Sequence, residues 1–418
     1  MSMFIPRTRI ATLPALALGL LLAACGGEGT SATDAGTPND SGVDVDSGVS
    51  ADTGVAPDAG IVAPDDISAD VAALVTQRGL IALGAAVVDE HGAIALGASG
   101  LRSRTATVPV TAQDRWHLGS DTKAMTGVLA AILVERGVIG WDTTVVDAFP
   151  SFASRIDPAF ANVTMVHLLT HRAGLSGAVP GPIWAELWRN AGAIENQRLV
   201  FAESILTSAP TSTPGTVYEY SNSGFIIAGA MLEQATGDTW EALMRREVFE
   251  PLGMMGCGFG PAATEGTLDA PLGHTNASPP QPVPAGPMAD NPPALGPAGT
   301  VHCPLADWAK FIAVHLRRGE GETPLLPASA FARLHADPGI GTPPNGFGYG
   351  YGWIVVDRDW AGGLTLTHAG SNTMNYAVAW VAPLKKRGYL VVANHAGDGT
   401  VAAMDEMVGV LLQAYPGN

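Results

Sequence analysis

WHLGSDTKAMTGVLAAILVERG, residues 116–137, carries Lys123, one of four lysines in a 418-residue chain, on an otherwise apolar segment. Ala, Leu, Val and Ile recur through it and Gly137 punctuates it. It reads as a helix that begins near Ser120 and stops at Gly137. Residues i and i+3 share a helix face, so Ser120 and Lys123 stand side by side. A serine hydroxyl is a weak nucleophile and needs a nearby base. A lysine amine becomes that base when burial or other cations lower its pKa. Taken alone, the pair reads more simply as an N-cap serine followed by a lysine that reaches solvent.

The flanks of this helix set the fold class. Upstream, GLIALGAAVVDEHGAIALGASG (79–100) reads as two β runs about a turn at 89–92. From 150 to 297, helical pieces (VTMVHLLTHRAGL, SNSGFIIAGAMLEQATG, WEALMRREVFEPLG) alternate with Pro/Gly loops. The stretch HTNASPPQPVPAGPMADNPPALGPAG (274–299) is too proline-rich for regular structure. DWAKFIAVHLRRG is helical, and four strand-like runs follow: YGWIVVDRD, LTLTHAG, YAVAWVAP and GYLVVANHA. TVAAMDEMVGVLLQAY closes the chain as an amphipathic helix. This order predicts an α+β fold. An antiparallel sheet flanked by helices is expected from 67–149 and 298–418, with a mainly helical region, 150–297, inserted between.

A second constellation is Tyr220-Ser221-Asn222, in VYEYSNSGF at a loop-to-helix junction. A phenol beside an ammonium can carry a proton, and an Asn side chain can hold a substrate amide and the lysine together. The plainer reading is a core tyrosine and an Asn222 helix cap. Three H-x-G triplets also occur, at 117–119, 368–370 and 395–397. The triplet by itself carries no meaning.

The order S-x-x-K, Y-x-N, H-x-G resembles the serine β-lactamase and penicillin-binding-protein superfamily. The tyrosine points to its class C branch, with DD-carboxypeptidase, D-amino peptidase and esterase relatives. LLTHRAGL (168–175) and GYGYGW (348–353) look like that branch too. The resemblance implies a β-lactamase-like fold over 67–418 and a role for each matching residue. Ser120 would be the acylated nucleophile, Lys123 its base, and Tyr220 the group that protonates the leaving group. Asn222 would orient substrate. Strand order in the family selects His368-Ala369-Gly370 as the third motif, so His368, Gly370 and Ser371 would bind substrate. The N–H groups of Ser120 and Ser371 would form the oxyanion hole. Class C β-lactamases usually carry lysine where His368 stands. An imidazole, with a reference pKa of about 6.5, holds a carboxylate through a weaker, pH-dependent bond. Weak β-lactam turnover is therefore expected, with a pH limb for carboxylate-bearing substrates. His171 fits a structural turn. His302, beside Cys303, lacks a second ligand at fixed spacing, and no metal or cofactor is expected. Cys257 and Cys303 leave a disulfide open.

The N-terminus is read apart from the fold. Arg7 and Arg9 precede IATLPALALGLLLAAC (10–25), the charged, apolar, small-residue order of an export signal. Leu22-Ala23-Ala24-Cys25 resembles a lipoprotein cleavage box, which implies a signal peptide at 1–24 and acylation of Cys25. Gly26 rather than Asp favours the outer membrane. Residues 25–66 hold nine Asp or Glu, and no Lys or Arg lies between Arg9 and Arg78. Such a segment reads as a disordered acidic tether. The net charge of −17 argues against nucleic acid as a partner. The expectation is a lipid-anchored, envelope-facing serine hydrolase working through an acyl-enzyme on a small-molecule or peptidoglycan-derived substrate. Stem peptides, β-lactams and esters all stay open, as does oligomeric state. The alternative is a catalytically silent cell-wall binding module.

Overall fold

The first strong β run splits its side chains between two cores. In β2 (Ala82–Asp89) the first seven residues are all buried. Leu83, Ala85 and Val87 join one apolar cluster, while Ala82, Ala86 and Val88 join another. Alternate side chains leave opposite faces of a strand, so a fully apolar run needs cover on both sides. The first cover is α1 (Ser68–Arg78) with the C-terminal α12 (Asp398–Ala414). The second comprises α2 (Thr122–Glu135) and α10 (Leu305–Arg317).

The computed structural model describes residues 63–189, 192–321, 325–341 and 346–417, which fall in one compact unit. Eight strands form its main sheet in the order β1-β3-β2-β11-β10-β9-β8-β7. They are β1 (Asp65–Asp66), β2, β3 (Gly92–Gly100), β7 (Gly348–Gly350), β8 (Trp353–Arg358), β9 (Gly363–Ser371), β10 (Tyr376–Ala382) and β11 (Arg387–Ala393). All neighbours are antiparallel except β1 and β3. Strands from both ends of the chain share this sheet, as the α+β reading requires, and helices flank it.

Between the two sheet halves lie α3 (Val145–Ala148), α4 (Met165–Leu169), α5 (Gly181–Arg189), α6 (Ile194–Leu206), α7 (Asn222–Thr236), α8 (Trp240–Met244) and α9 (Gly296–Gly299). Helix α11 (Ala328–Leu334) precedes β7. The insert is not purely helical. Strand β5 (Gly258–Phe259) lies within it and pairs with β6 (Val301–Pro304), which pairs with β4 (Arg115–His117). Cys257 and Cys303 are joined by a disulfide beside these strands.

One boundary needs correction. The acidic tether was expected to run through residue 66, but Asp65 and Asp66 pair in parallel with Ala95 and Leu96 of β3. Their carboxylates are engaged as well: Asp66 Oδ1 accepts the Ser68 N–H at 2.9 Å, and Asp65 Oδ2 accepts the Tyr415 hydroxyl at 3.1 Å. The expected signal peptide, Cys25 and the tether through residue 62 lie outside the described residues.

Candidate active site

Two glycines bring strand β9 against the start of the Ser120 helix. Strand β4 ends at His117, and a short 3-10 turn, Gly119–Asp121, leads into α2. Gly119 adopts φ +52°, which a side chain rarely tolerates. A Cβ there would lie 2.4 Å from Ser371 N. On the facing strand, a Cβ on Gly370 would lie 1.9 Å from Leu118 O. The backbones of Ser120 and Ser371 are thereby neighbours, although 250 residues separate them in sequence.

Lys123 does not reach solvent; it is fully buried. Its Nζ donates to Ser120 Oγ at 3.0 Å, to Asn222 Oδ1 at 2.8 Å and to the Ala298 carbonyl at 2.7 Å. The ammonium also sits over the rings of Tyr220 and Phe225, at 4.9 and 5.5 Å from their centroids. The first two motifs therefore meet at one nitrogen. Asn222 is not the helix cap. Ser221 holds that position in extended conformation, its hydroxyl bonded to Ser176 O at 2.7 Å, and Asn222 opens α7 with its amide on the lysine. Burial raises the Tyr220 phenol well above its ordinary value, against an opposing pull from the Ser120 hydroxyl. Burial thus favours the neutral O–H form of Tyr220.

His368 is placed differently from the expectation. It is buried on β9, with Nδ1 2.8 Å from Ala369 O and Nε2 3.2 Å from the Tyr349 hydroxyl. Both ring nitrogens are occupied, so the ring has no donor left for a substrate carboxylate. Burial first, and then the Lys123 charge, hold its pKa down at about 3. A pH limb near neutrality from this imidazole does not follow. Gly370 and Ser371 instead face the Ser120 turn through their backbone.

His171 occupies the expected turn, at φ +59°. It also does more. Its Nδ1 accepts the Ser221 N–H at 3.1 Å, and its ring packs 4.3 Å from Tyr220 and 4.5 Å from Tyr349, centroid to centroid. The tyrosine is held from beneath. His302 is spent on Gly260 O at 3.0 Å. Among the described residues, no cluster of three His, Cys, Asp or Glu is arranged to hold a metal. The Ala298 carbonyl was missed because a backbone acceptor leaves no mark in sequence. Tyr349 lies in the GYGYGW stretch, and nothing in the sequence links it to His368.

Comparison with known proteins agrees with this geometry. The family model described as Beta-lactamase matches residues 67–413. Penicillin-binding protein 4 of Amycolatopsis lactamdurans is 28% identical over 73% of this chain and 75% of its own. Esterase EstB of Burkholderia gladioli is 31% identical over 65% of this chain and 74% of its own. Among solved structures, the octameric penicillin-binding protein homologue from Pyrococcus abyssi superposes with a TM-score of 0.66 at 24% identity, covering 82% of this chain and 76% of that one. D-alanine carboxypeptidase AmpC from Burkholderia cenocepacia gives 0.61 at 19% identity, covering 81% and 96%. A match over nearly the whole described region, with the S-x-x-K and Y-x-N residues converging inside it, places the chain in the beta-lactamase family, within the serine β-lactamase and penicillin-binding-protein superfamily.

Proposed function

We propose that the protein is a serine hydrolase of the class C type that forms an acyl-enzyme on Ser120 and prefers esters, amides or peptides to β-lactams. The observation that carries this is the three-way contact of Lys123 Nζ with Ser120 Oγ, Asn222 Oδ1 and Ala298 O. The two carbonyls can only accept. When Lys123 gives up a proton, its two remaining N–H bonds can stay on these carbonyls and its lone pair can turn to the Ser120 hydroxyl, reversing the donation seen in the resting contact. Lys123 takes the hydroxyl proton as Ser120 Oγ attacks the substrate carbonyl. The N–H groups of Ser120 and Ser371 receive the oxyanion, and such preorganised donors supply a large share of acyl-transfer catalysis. Tyr220, a neutral phenol, passes a proton to the leaving group and is restored through Lys123. Water then repeats the sequence on the acyl-enzyme.

The preference rests on His368. A neutral ring with both nitrogens bonded offers a β-lactam carboxylate no cation and no donor. The esterase relative supports the same direction. In the cell, the reading is of an exported protein acylated on Cys25 and tethered to a membrane; Cys25→Ser should move it to the soluble fraction. The catalytic test is fluorophosphonate labelling with peptide mass mapping, beside turnover of p-nitrophenyl acetate, D-amino-acid anilides and nitrocefin. The adduct is expected on Ser120, with nitrocefin the poorest substrate. An adduct on another serine, or nitrocefin as the best substrate, refutes the corresponding half. No label and no turnover would favour the silent binding module.

A further inference from the structure

Behind the two N–H groups assigned to the oxyanion runs a buried polar chain outside the three motifs. His117, ending β4, accepts the Gly119 N–H on Nδ1 at 3.1 Å, so its ring proton sits on Nε2. That nitrogen lies 2.7 Å from Asp290 Oδ1, at ion-pair distance with the N–H angled off the oxygen, and both side chains are 1% exposed. Asp290 comes from the proline-rich loop. The same Oδ1 accepts the Asn291 N–H at 2.7 Å and Asn372 Nδ2 at 3.2 Å. Asn372 follows Ser371 directly. Its Oδ1 accepts the N–H groups of Met374 and Asn375 at 3.2 and 2.9 Å and Nδ2 of Asn375 at 3.2 Å, which closes the β9–β10 turn.

The chain therefore ties together three remote segments: the turn that presents Ser120, the loop at 290, and the turn that presents Ser371. Asp290 Oδ2 is buried without a partner among the described residues. A carboxylate held this way costs stability rather than adding it. Its use has to be sought in what it orients. Oxyanion donors act only when both lie within hydrogen-bond distance of the forming charge, and here they come from different segments.

We infer that His117, Asp290 and Asn372 are positioning residues that set the spacing between the Ser120 and Ser371 N–H groups, and through it the rate of acyl transfer, without touching substrate. This rests on the reading of Ser120 as nucleophile. The test measures kcat and KM for p-nitrophenyl acetate per Ser120 site, counted by exhaustive fluorophosphonate labelling, in the full chain. Asp290→Ala and Asn372→Ala should lower kcat by about 10- to 100-fold, the range for donors misplaced by up to an ångström. KM should stay near the wild-type value and circular dichroism should remain native. Should Asp290→Ala fail to fold, Asn372→Ala and His117→Asn supply the same readout. Folded variants with wild-type kcat, or a loss confined to KM or Tm, overturn the inference while the nucleophile reading stands. A wild-type protein that neither labels on Ser120 nor turns over ester overturns both.

Discussion

Replacing Gly370 with alanine should slow acyl transfer in a protein that still folds. A Cβ at this position falls 1.9 Å from Leu118 O, 2.6 Å from Ser120 N and 2.9 Å from Asp121 N. All three are backbone atoms and cannot swing aside. Cβ atoms essentially never approach within 3.0 Å, so the 1.9 Å contact must open by at least about 1.1 Å. Displacement of this size in a catalytic constellation costs about 10²-fold in rate, or roughly 2.7 kcal/mol of barrier. Overpacking of this kind typically costs about 1–3 kcal/mol of stability, which a domain of this size survives. Gly399→Ala in α12 is the control, since its Cβ meets nothing within 4 Å. The assay is kcat for p-nitrophenyl acetate beside a thermal unfolding curve. A folded Gly370→Ala protein with near-wild-type kcat would refute the idea that β9 and the Ser120 turn jointly hold the reacting carbonyl.

Lys123→Ala should lower kcat by about 10²–10⁴-fold, the usual weight of a general base, and a variant that keeps its rate would remove the lysine from the mechanism. Acid should destabilise the fold through its histidines. Burial holds His302, His335 and His368 at about 4, 3 and 3, below the ordinary 6.5. The unfolded chain binds more protons at these sites, so their contribution is fully present above about pH 6.5. It is lost as pH falls toward the folded values, by up to about 1.4 kcal/mol per pH unit for each histidine. Tm measured from pH 7 down to 4.5 should fall steeply, and a flat Tm would contradict this. Replacing both Cys257 and Cys303 with alanine opens a 46-residue loop and should cost about 2–4 kcal/mol in denaturant unfolding with kcat preserved; an unchanged midpoint would count against it.

The strands were legible because their apolar runs are long and broken by turns. Residues 79–100 became β2 and β3 with the turn where Asp89 and Gly92 put it. Ser120, Lys123, Tyr220 and Asn222 were legible as spaced motifs of reactive side chains. Strand β1 was not, since two consecutive aspartates look like solvated tether until a neighbouring strand supplies their pairing. Asp290 lies in a proline-rich loop with no periodicity, so nothing local marks it as buried. His368 shows the opposite failure. Its motif was read, but its partner Tyr349 comes from another strand, and that contact decides what the ring can do.

The register of the main sheet also has a consequence for how the chain is made. Leu83 of β2 pairs with Ala393 of β11, 310 residues later. At about 5–20 residues per second, ribosomes need roughly 15–60 s to span that interval. Through that time β2 and β3 have only the short β1 and helix α1 from the N-terminal side as partners in the sheet and its first cover, and so small a unit is at best marginal in water. An interior strand of the sheet is therefore among the first segments synthesised and among the last to gain its full set of partners. A chain released before β11 would present the open edge of β2 as a template for pairing with another chain. Nascent molecules should thus depend on a holding chaperone until the last strand emerges.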